Sequence, residues 1–325
     1  MDCQKKRMSF LVVMILGVFI TGIAGCSSAT KSYRKASLKN NPAKKSLTAL
    51  QKRRLIIVPD KATEPRKLPK ITAREIEGSG DVFLSNGNLD KAFLQYEKAL
   101  KKDPRNTTLI YKKGLTLLIG EKNEEAIKEF QKVLKKRPKH ALAHKGIGQA
   151  FFQMKKYDEA EKNFKKAVEL DPKLWHAHNF LGIIYDHRKN YDEAASQYIA
   201  AVSLKPEEGF LYNNLGVSYS LAGKYEEAVD AYKKGLNKKL SDERIYNNLG
   251  MALSEMKRYN EAFEAFRKAG NEAQAYNNLG CVYLTQGEID NAINFFEKAI
   301  EIKPAFYDKA GDNLKKARMF NHSTK

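Results

Sequence analysis

Seven glycines, Gly80, Gly114, Gly148, Gly182, Gly216, Gly250 and Gly280, are each followed twelve residues later by an alanine: Ala92, Ala126, Ala160, Ala194, Ala228, Ala262 and Ala292. The glycines are 34 residues apart five times and 30 once. Self-similarity at a period near 34 belongs to helix-turn-helix units that stack, because one helix pair cannot bury its own apolar face. A chain of 325 residues built this way is one elongated array rather than two or three globular domains.

Placing each Gly at position 8 makes the units begin at Ala73, Thr107, Ala141, Trp175, Gly209, Glu243 and Ala273. Positions 4, 7, 8 and 11 then share one helix face, and positions 20, 24 and 27 share a face of a second helix. The first helix is predicted to end near Gly87, Gly120, Gly223 and Gly287 or the equivalent lysines, and the second before Pro104, Pro138, Pro172, Pro206 and Pro304. Small residues at 8 and 20 let the two helices approach, and large ones at 11 and 24 fill the space beside them.

These units resemble tetratricopeptide repeats, over residues 73–306. The last unit matches the family pattern throughout, with Tyr276, Leu279, Gly280, Tyr283, Ala292, Phe296, Ala299 and Pro304. The resemblance implies an all-α, right-handed superhelical solenoid of about seven helix-turn-helix units. Tyr307 to Phe320, with Ala310, Leu314 and Ala317, is predicted to be a capping helix within a final segment 307–325. Gly235 and Leu240 replace the usual Ala and Pro of the fifth unit, so its second helix is expected to be less rigid and to run on towards Ser241 as the next N-cap. The sixth unit is four residues short, about one helical turn, so the seventh unit keeps its helical phase.

Ahead of the array, residues 1–25 have the form of a signal peptide: Lys5, Lys6 and Arg7, then an apolar run from Phe10 to Ile20. Ile23-Ala24-Gly25-Cys26 resembles a bacterial lipobox, which implies that Cys26 is the acylated mature N-terminus and, with Ser27 after it, that the protein lies on the periplasmic face of the outer membrane. Cys3 would leave with the signal and Cys26 would be a thioether, so Cys281 is expected to stand alone. Residues 26–72 form a basic tether containing Pro42, Pro59, Pro65 and Pro69. The formal net charge of +20 is concentrated there: residues 26–70 carry 13 Lys and Arg against Asp60 and Glu64. A nucleic-acid footprint would instead be a basic stripe on the folded surface, so no nucleic-acid partner is expected.

In the repeat family the concave face is lined by positions 2, 5, 6, 9, 12 and 13. Those positions hold apolar residues including Phe180, Val217 and Met251, with Asn213-Asn214, Asn247-Asn248 and Asn277-Asn278 between them. Amides carry both donors and acceptors, so such a column can pair with the backbone of an extended peptide. It resembles the asparagine ladder of the repeats in O-linked N-acetylglucosamine transferases. The alternative is that the amides bond within or between helices. His140, His144, His176 and His178 lack the carboxylate or HExxH context of a zinc site and are expected to pack, so neither metal nor cofactor is expected. No nucleophile, base and oxyanion donor occur together, so an enzyme is not expected. The expected function is a non-catalytic, lipid-anchored protein-binding scaffold, resembling the lipoproteins of pilus biogenesis and the pilotins; the alternative is an adaptor recruiting cell-wall (murein) enzymes.

Overall fold

The computed structural model describes residues 71–238, 242–304 and 307–323, and no strand occurs among them. Their helices run as hairpins: α1 (Ala73–Ser85) with α2 (Leu89–Lys102), α3 (Thr107–Ile119) with α4 (Asn123–Lys136), and α5 (Ala141–Gln153) with α6 (Tyr157–Leu170). They continue as α7 (Trp175–His187) with α8 (Tyr191–Leu204), α9 (Gly209–Leu221) with α10 (Tyr225–Lys238), α11 (Glu243–Glu255) with α12 (Tyr259–Ala269), and α13 (Glu272–Gln286) with α14 (Ile289–Ile302). A final helix, α15 (Tyr307–Ser323), closes the series. Residues 71–177 belong to one compact unit and residues 178–323 to another. Residues 1–70, and with them the signal, Cys26 and nearly all of the tether, lie outside the described residues.

Each hairpin turns on one left-handed residue at position 15. That residue is Gly87, Gly223 or Gly287 in three units and Glu121, Lys155, Lys189 or Lys257 in the other four, with φ between 58° and 83°. The first helix of the second unit ends at Gly120 as the sequence predicts, but Gly120 keeps a negative φ of −83° and Glu121 takes the left-handed turn. In every unit the turn residue donates its N–H back three positions, and the next residue donates back five, as in Gly223 to Ser220 and Lys224 to Tyr219. That pair of bonds is the Schellman closure of a helix C-terminus. The second helices α2, α4, α6, α8 and α14 each stop two residues before a proline.

The core of each hairpin is a ring laid on a glycine. A Cβ added at any of the seven position-8 glycines would lie between 2.5 and 2.9 Å from the position-24 ring of the same unit, Tyr96, Phe130, Phe164, Tyr198, Tyr232, Phe266 or Phe296. All seven rings are fully or almost fully buried. Burial of one such side chain contributes about 1.5–3 kcal/mol, which is the reason for keeping a residue without a side chain beneath it.

Three details differ from the sequence expectation or sharpen it. Gly235 is a packing site: a Cβ there would meet the Gly209 carbonyl oxygen at 3.0 Å and the Tyr212 Cβ at 3.2 Å, so the missing side chain lets two backbones meet. Asp242, not Ser241, caps α11, its carboxylate accepting from the Arg244 N–H at 3.1 Å; Ser241 lies outside the described residues. Three of the four residues missing from the sixth unit come from α12, which has 11 residues where the other second helices have 14. Asn271 caps α13 immediately afterwards, accepting from the Gln274 N–H at 3.0 Å.

Candidate binding face

The asparagines expected to line the concave face form a ladder of side-chain bonds between successive first helices. Asn214 donates Nδ2 to Asn179 Oδ1 at 2.9 Å, Asn248 to Asn213 at 2.9 Å, and Asn278 to Asn247 at 3.3 Å. Asn313 of α15 closes the series by donating to Asn277 at 2.9 Å. In the first three rungs a position-6 amide donates to the position-5 amide of the preceding unit. The rung crossing the shortened sixth unit spans 31 residues rather than 35 and still meets its partner, so the lost turn preserves the register.

Burial changes the picture of an open trough. Asn213, Asn214, Asn277, Phe180 and Val217 are buried, with Asn214 only 1% exposed, whereas Asn247, Asn248, Asn278 and Met251 are partly exposed. The buried members do not stand open to solvent as the sequence reading expected, because consecutive helices pack closely enough for amide to reach amide. Sequence reasoning missed Asn179 and Asn313 as members. The offset of 35 between Asn179 and Asn214, repeated between Asn213 and Asn248, is visible in the sequence and would have found Asn179.

The same rung is ionic in the unit formed by residues 71–177. Lys112, at position 6 of its repeat, places Nζ 2.6 Å from Oε1 of Glu77, position 5 of the repeat before, and 2.8 Å from Asp81 Oδ2. Burial alone would lower the Lys112 pKa, but the two carboxylates outweigh it and hold it above its ordinary value. Asp81 also accepts from the Tyr96 hydroxyl at 2.8 Å.

A second buried polar group lies between α7 and α10. Asp186, 3% exposed, accepts from the Tyr198 hydroxyl at 2.9 Å through Oδ2, while its Oδ1 has no hydrogen-bond partner. Burial pushes its pKa up to about 7, against the pull of the Ser218 and Tyr198 hydroxyls. Ser218 itself donates to the Tyr191 carbonyl at 3.2 Å, and two residues further along α9 Ser220 meets the Tyr232 hydroxyl at 3.2 Å.

The histidines have structural roles. His140 Nδ1 accepts from the Ala143 N–H at 3.1 Å at the start of α5, and burial lowers its pKa. His144 bonds the Pro138 carbonyl at 3.2 Å, His178 bonds the Gln197 amide oxygen at 2.8 Å, and His176 stacks on Trp175. Cys281 departs from the cysteine count: it is buried and disulfide-bonded rather than alone, with its partner outside the described residues.

Helix hairpins repeating in a 34-residue register are the observation that points to the family. A family model described as the cilia and flagella-associated protein 70 C-terminal domain, a tetratricopeptide-repeat model, matches residues 34–278, and the general tetratricopeptide-repeat model matches residues 273–306. The chain belongs to this tetratricopeptide-repeat family. No curated protein matches it. Among solved structures it is similar to a tetratricopeptide repeat protein from Parabacteroides merdae, with 17% identity over 74% of this chain and 98% of the other and a TM-score of 0.51. It is also similar to a chain of the Cut9-Hcn1 hetero-tetramer of the APC/C, with 21% identity over 78% of this chain and 50% of the other and a TM-score of 0.51. These two likenesses concern the fold alone. The crystal structure of MamA protein is 28% identical over 52% of this chain and 93% of the other, with a TM-score of 0.45. The tetratricopeptide-repeat fold is a scaffold for protein–protein interaction.

Proposed function

We propose that this tetratricopeptide-repeat chain is a non-catalytic scaffold of the cell envelope, anchored by an acylated Cys26, that holds an extended segment of a partner protein along the ladder around Asn247, Asn248 and Met251. The observation that carries the reading is the unused capacity of the amides. An Asn side chain has two N–H donors and two acceptor lone pairs, and a rung consumes one donor of one residue and one lone pair of the other. Asn247 therefore keeps both N–H groups, and Asn248 its Oδ1, at positions that are partly exposed. Those are the groups an extended backbone pairs with irrespective of its sequence. Met251, one turn further along α11, adds a deformable apolar contact. We place the scaffold at the periplasmic face of the outer membrane, assisting assembly of a type IV or related pilus or secretion machine. Recruitment of murein enzymes is the alternative.

The anchor and the ladder are tested separately. Cys3 and Cys26 are the only other cysteines, and an acylated Cys26 cannot share a disulfide, so the reading requires the Cys281 disulfide to be absent from the mature protein. Mass spectrometry of protein purified from membranes is expected to find an N-terminal lipidated Cys26 and an alkylatable Cys281. A Cys26 that is unmodified, or held by Cys281, overturns the anchor. For the ladder, a photo-crosslinker replacing Met251 is expected to trap an envelope protein in cells. Crosslinks that form only from a probe at the exposed Leu94 of α2 overturn it. The identity of the trapped protein, pilus or secretion subunit against murein enzyme, separates the two assignments.

A further inference from the structure

The Asp186 carboxyl is accommodated without a buried charge only when it carries a proton. The Tyr198 hydroxyl donates to Oδ2 and the Ser218 hydroxyl to the Tyr191 carbonyl, while the buried Oδ1 has no partner. With the proton on, both hydroxyls keep one acceptor each and no buried anion is left on a single donor. Without the proton, the Ser218 hydroxyl has to choose. It either keeps Tyr191 and leaves a buried anion with one donor, or turns to Asp186 and gives up the carbonyl. The comparison within the chain is Asp81, which also accepts from a position-24 tyrosine. Asp81 is supplied with the Lys112 ammonium and retains solvent contact; Asp186 pairs with no cation and has almost none.

We propose that Asp186 is a proton-operated latch on the fourth and fifth repeats, closed when its carboxyl is protonated and slackened when that proton is lost to water. On release the O–H bond of the acid breaks, the proton passes to solvent, and the Ser218 hydroxyl rotates from the Tyr191 carbonyl to the new carboxylate. The groups acting on Asp186 from the packed elements are the phenols of Tyr191 and Tyr198 on α8 and Tyr232 on α10, with the Ser218 hydroxyl on α9. None neutralises an anion at ordinary pH. Burial raises the pKa of all three phenols, so none ionises in the range where Asp186 does. The first amide rung, Asn179 to Asn214, joins the same helices α7 and α9, so slackening here reaches the ladder.

The sign is set by linkage. The folded carboxyl holds its proton up to about pH 7, whereas in an opened segment it ionises near its ordinary value of 3.8. Opening therefore releases one proton between those values. The opening constant is expected to rise about tenfold per pH unit across that window and to level off above it. The test is amide hydrogen exchange of α7 to α9 in the full chain from pH 5 to 8, corrected for the ordinary base catalysis of exchange. The wild type is expected to show opening that climbs roughly tenfold per unit to pH 7 and then flattens. Asp186→Asn, which keeps the shape and an oxygen for Tyr198, is expected to show no such climb. Should that variant fail to fold, Tyr198→Phe serves: it removes a donor that favours the anion and is expected to move the plateau to higher pH. Parallel pH profiles of wild type and Asp186→Asn, a plateau unmoved in Tyr198→Phe, or a directly observed carboxyl titration with its midpoint below pH 5 would overturn the latch.

Discussion

Asn248 on α11 and Asn213 on α9, 35 residues apart in sequence, share a side-chain hydrogen bond of 2.9 Å. Lys112 and Glu77 are the same distance apart in sequence and meet in the same way, as an ion pair of 2.6 Å. The contact between positions 6 and 5 of consecutive repeats is thus one geometric device, filled with charge between the first two repeats and with amides from the fourth onward. What differs is how each filling responds to substitution and to salt.

Asn248→Ala is expected to destabilise the array, although alanine is the better helix former. The substitution gains about 0.5 kcal/mol in helix propensity. It also strips the only donor from Asn213 Oδ1, a buried acceptor, which costs about 1–3 kcal/mol. A double-mutant cycle with Asn213→Ala should return a coupling of about 0.5–1.5 kcal/mol in denaturant unfolding. A coupling near zero would mean that the rung is incidental to the packing of α9 on α11.

Two glycines in the fifth repeat separate packing from backbone conformation. Gly216 lies under the Tyr232 ring, where an added Cβ would come within 2.5 Å, so Gly216→Ala is expected to cost about 1–3 kcal/mol by overpacking. Gly223 has φ of +76° with no atom within 4 Å of an added Cβ, so Gly223→Ala is expected to cost about 1–2 kcal/mol through the left-handed backbone alone. Combining Gly216→Ala with Tyr232→Leu should recover part of the first loss in a urea melt. The Tyr232 change should recover none of the second.

Much of this was written in the chain because a repeat averages out local ambiguity. The spacing of Gly80 to Gly280 with its alanines gave the hairpins, and the prolines from Pro104 to Pro304 gave the ends of the second helices. The turn residue was harder to place: next to Gly120, the left-handed position falls on Glu121, because the Schellman bonds fix the turn by counting back from the helix and not by residue type. The site was half legible. Asn213 and its equivalents were recognisable as a column, but whether an amide looks outward or reaches the next helix depends on the separation of helices that are not adjacent in sequence. Asp186 gave no signal at all, since its character comes from Tyr198, Ser218 and the loss of water around it.

The ionic rung should respond to both pH and salt through its own charges. Lys112, with its pKa raised above the usual 10.5, contributes its stabilisation at every pH below that value and loses it as pH climbs through the folded pKa. Lys112→Ala leaves Glu77 and Asp81 partly buried without their cation, and is expected to cost about 1–2 kcal/mol once solvent screening is allowed for. Hydrogen exchange at 0.05 M and 1 M salt should show α1 and α2 loosened by salt in the wild type and indifferent to it in Lys112→Ala. Equal salt responses in the two proteins would remove the ion pair from the account.

The cap makes the same contact for the last repeat. Asn313, 2% exposed on α15, donates to Asn277 Oδ1 at 2.9 Å and sits 3.5 Å from Cys281 Sγ, with Ala310 and Ala317 fully buried on either side along the helix. The helix thus supplies the amide an eighth repeat would have supplied, as well as apolar cover. Asn313→Leu keeps the bulk but removes the donor, so Asn277 is left buried without its rung and the substitution is expected to cost about 1–3 kcal/mol. Deleting residues 307–325 removes rung and cover together and should cost more, with the loss of protection concentrated in α13 and α14. Exchange read helix by helix decides the point. If Asn313→Leu leaves α13 as protected as in the wild type while the deletion unfolds it, the cap acts through its alanines alone and the ladder ends at Asn278.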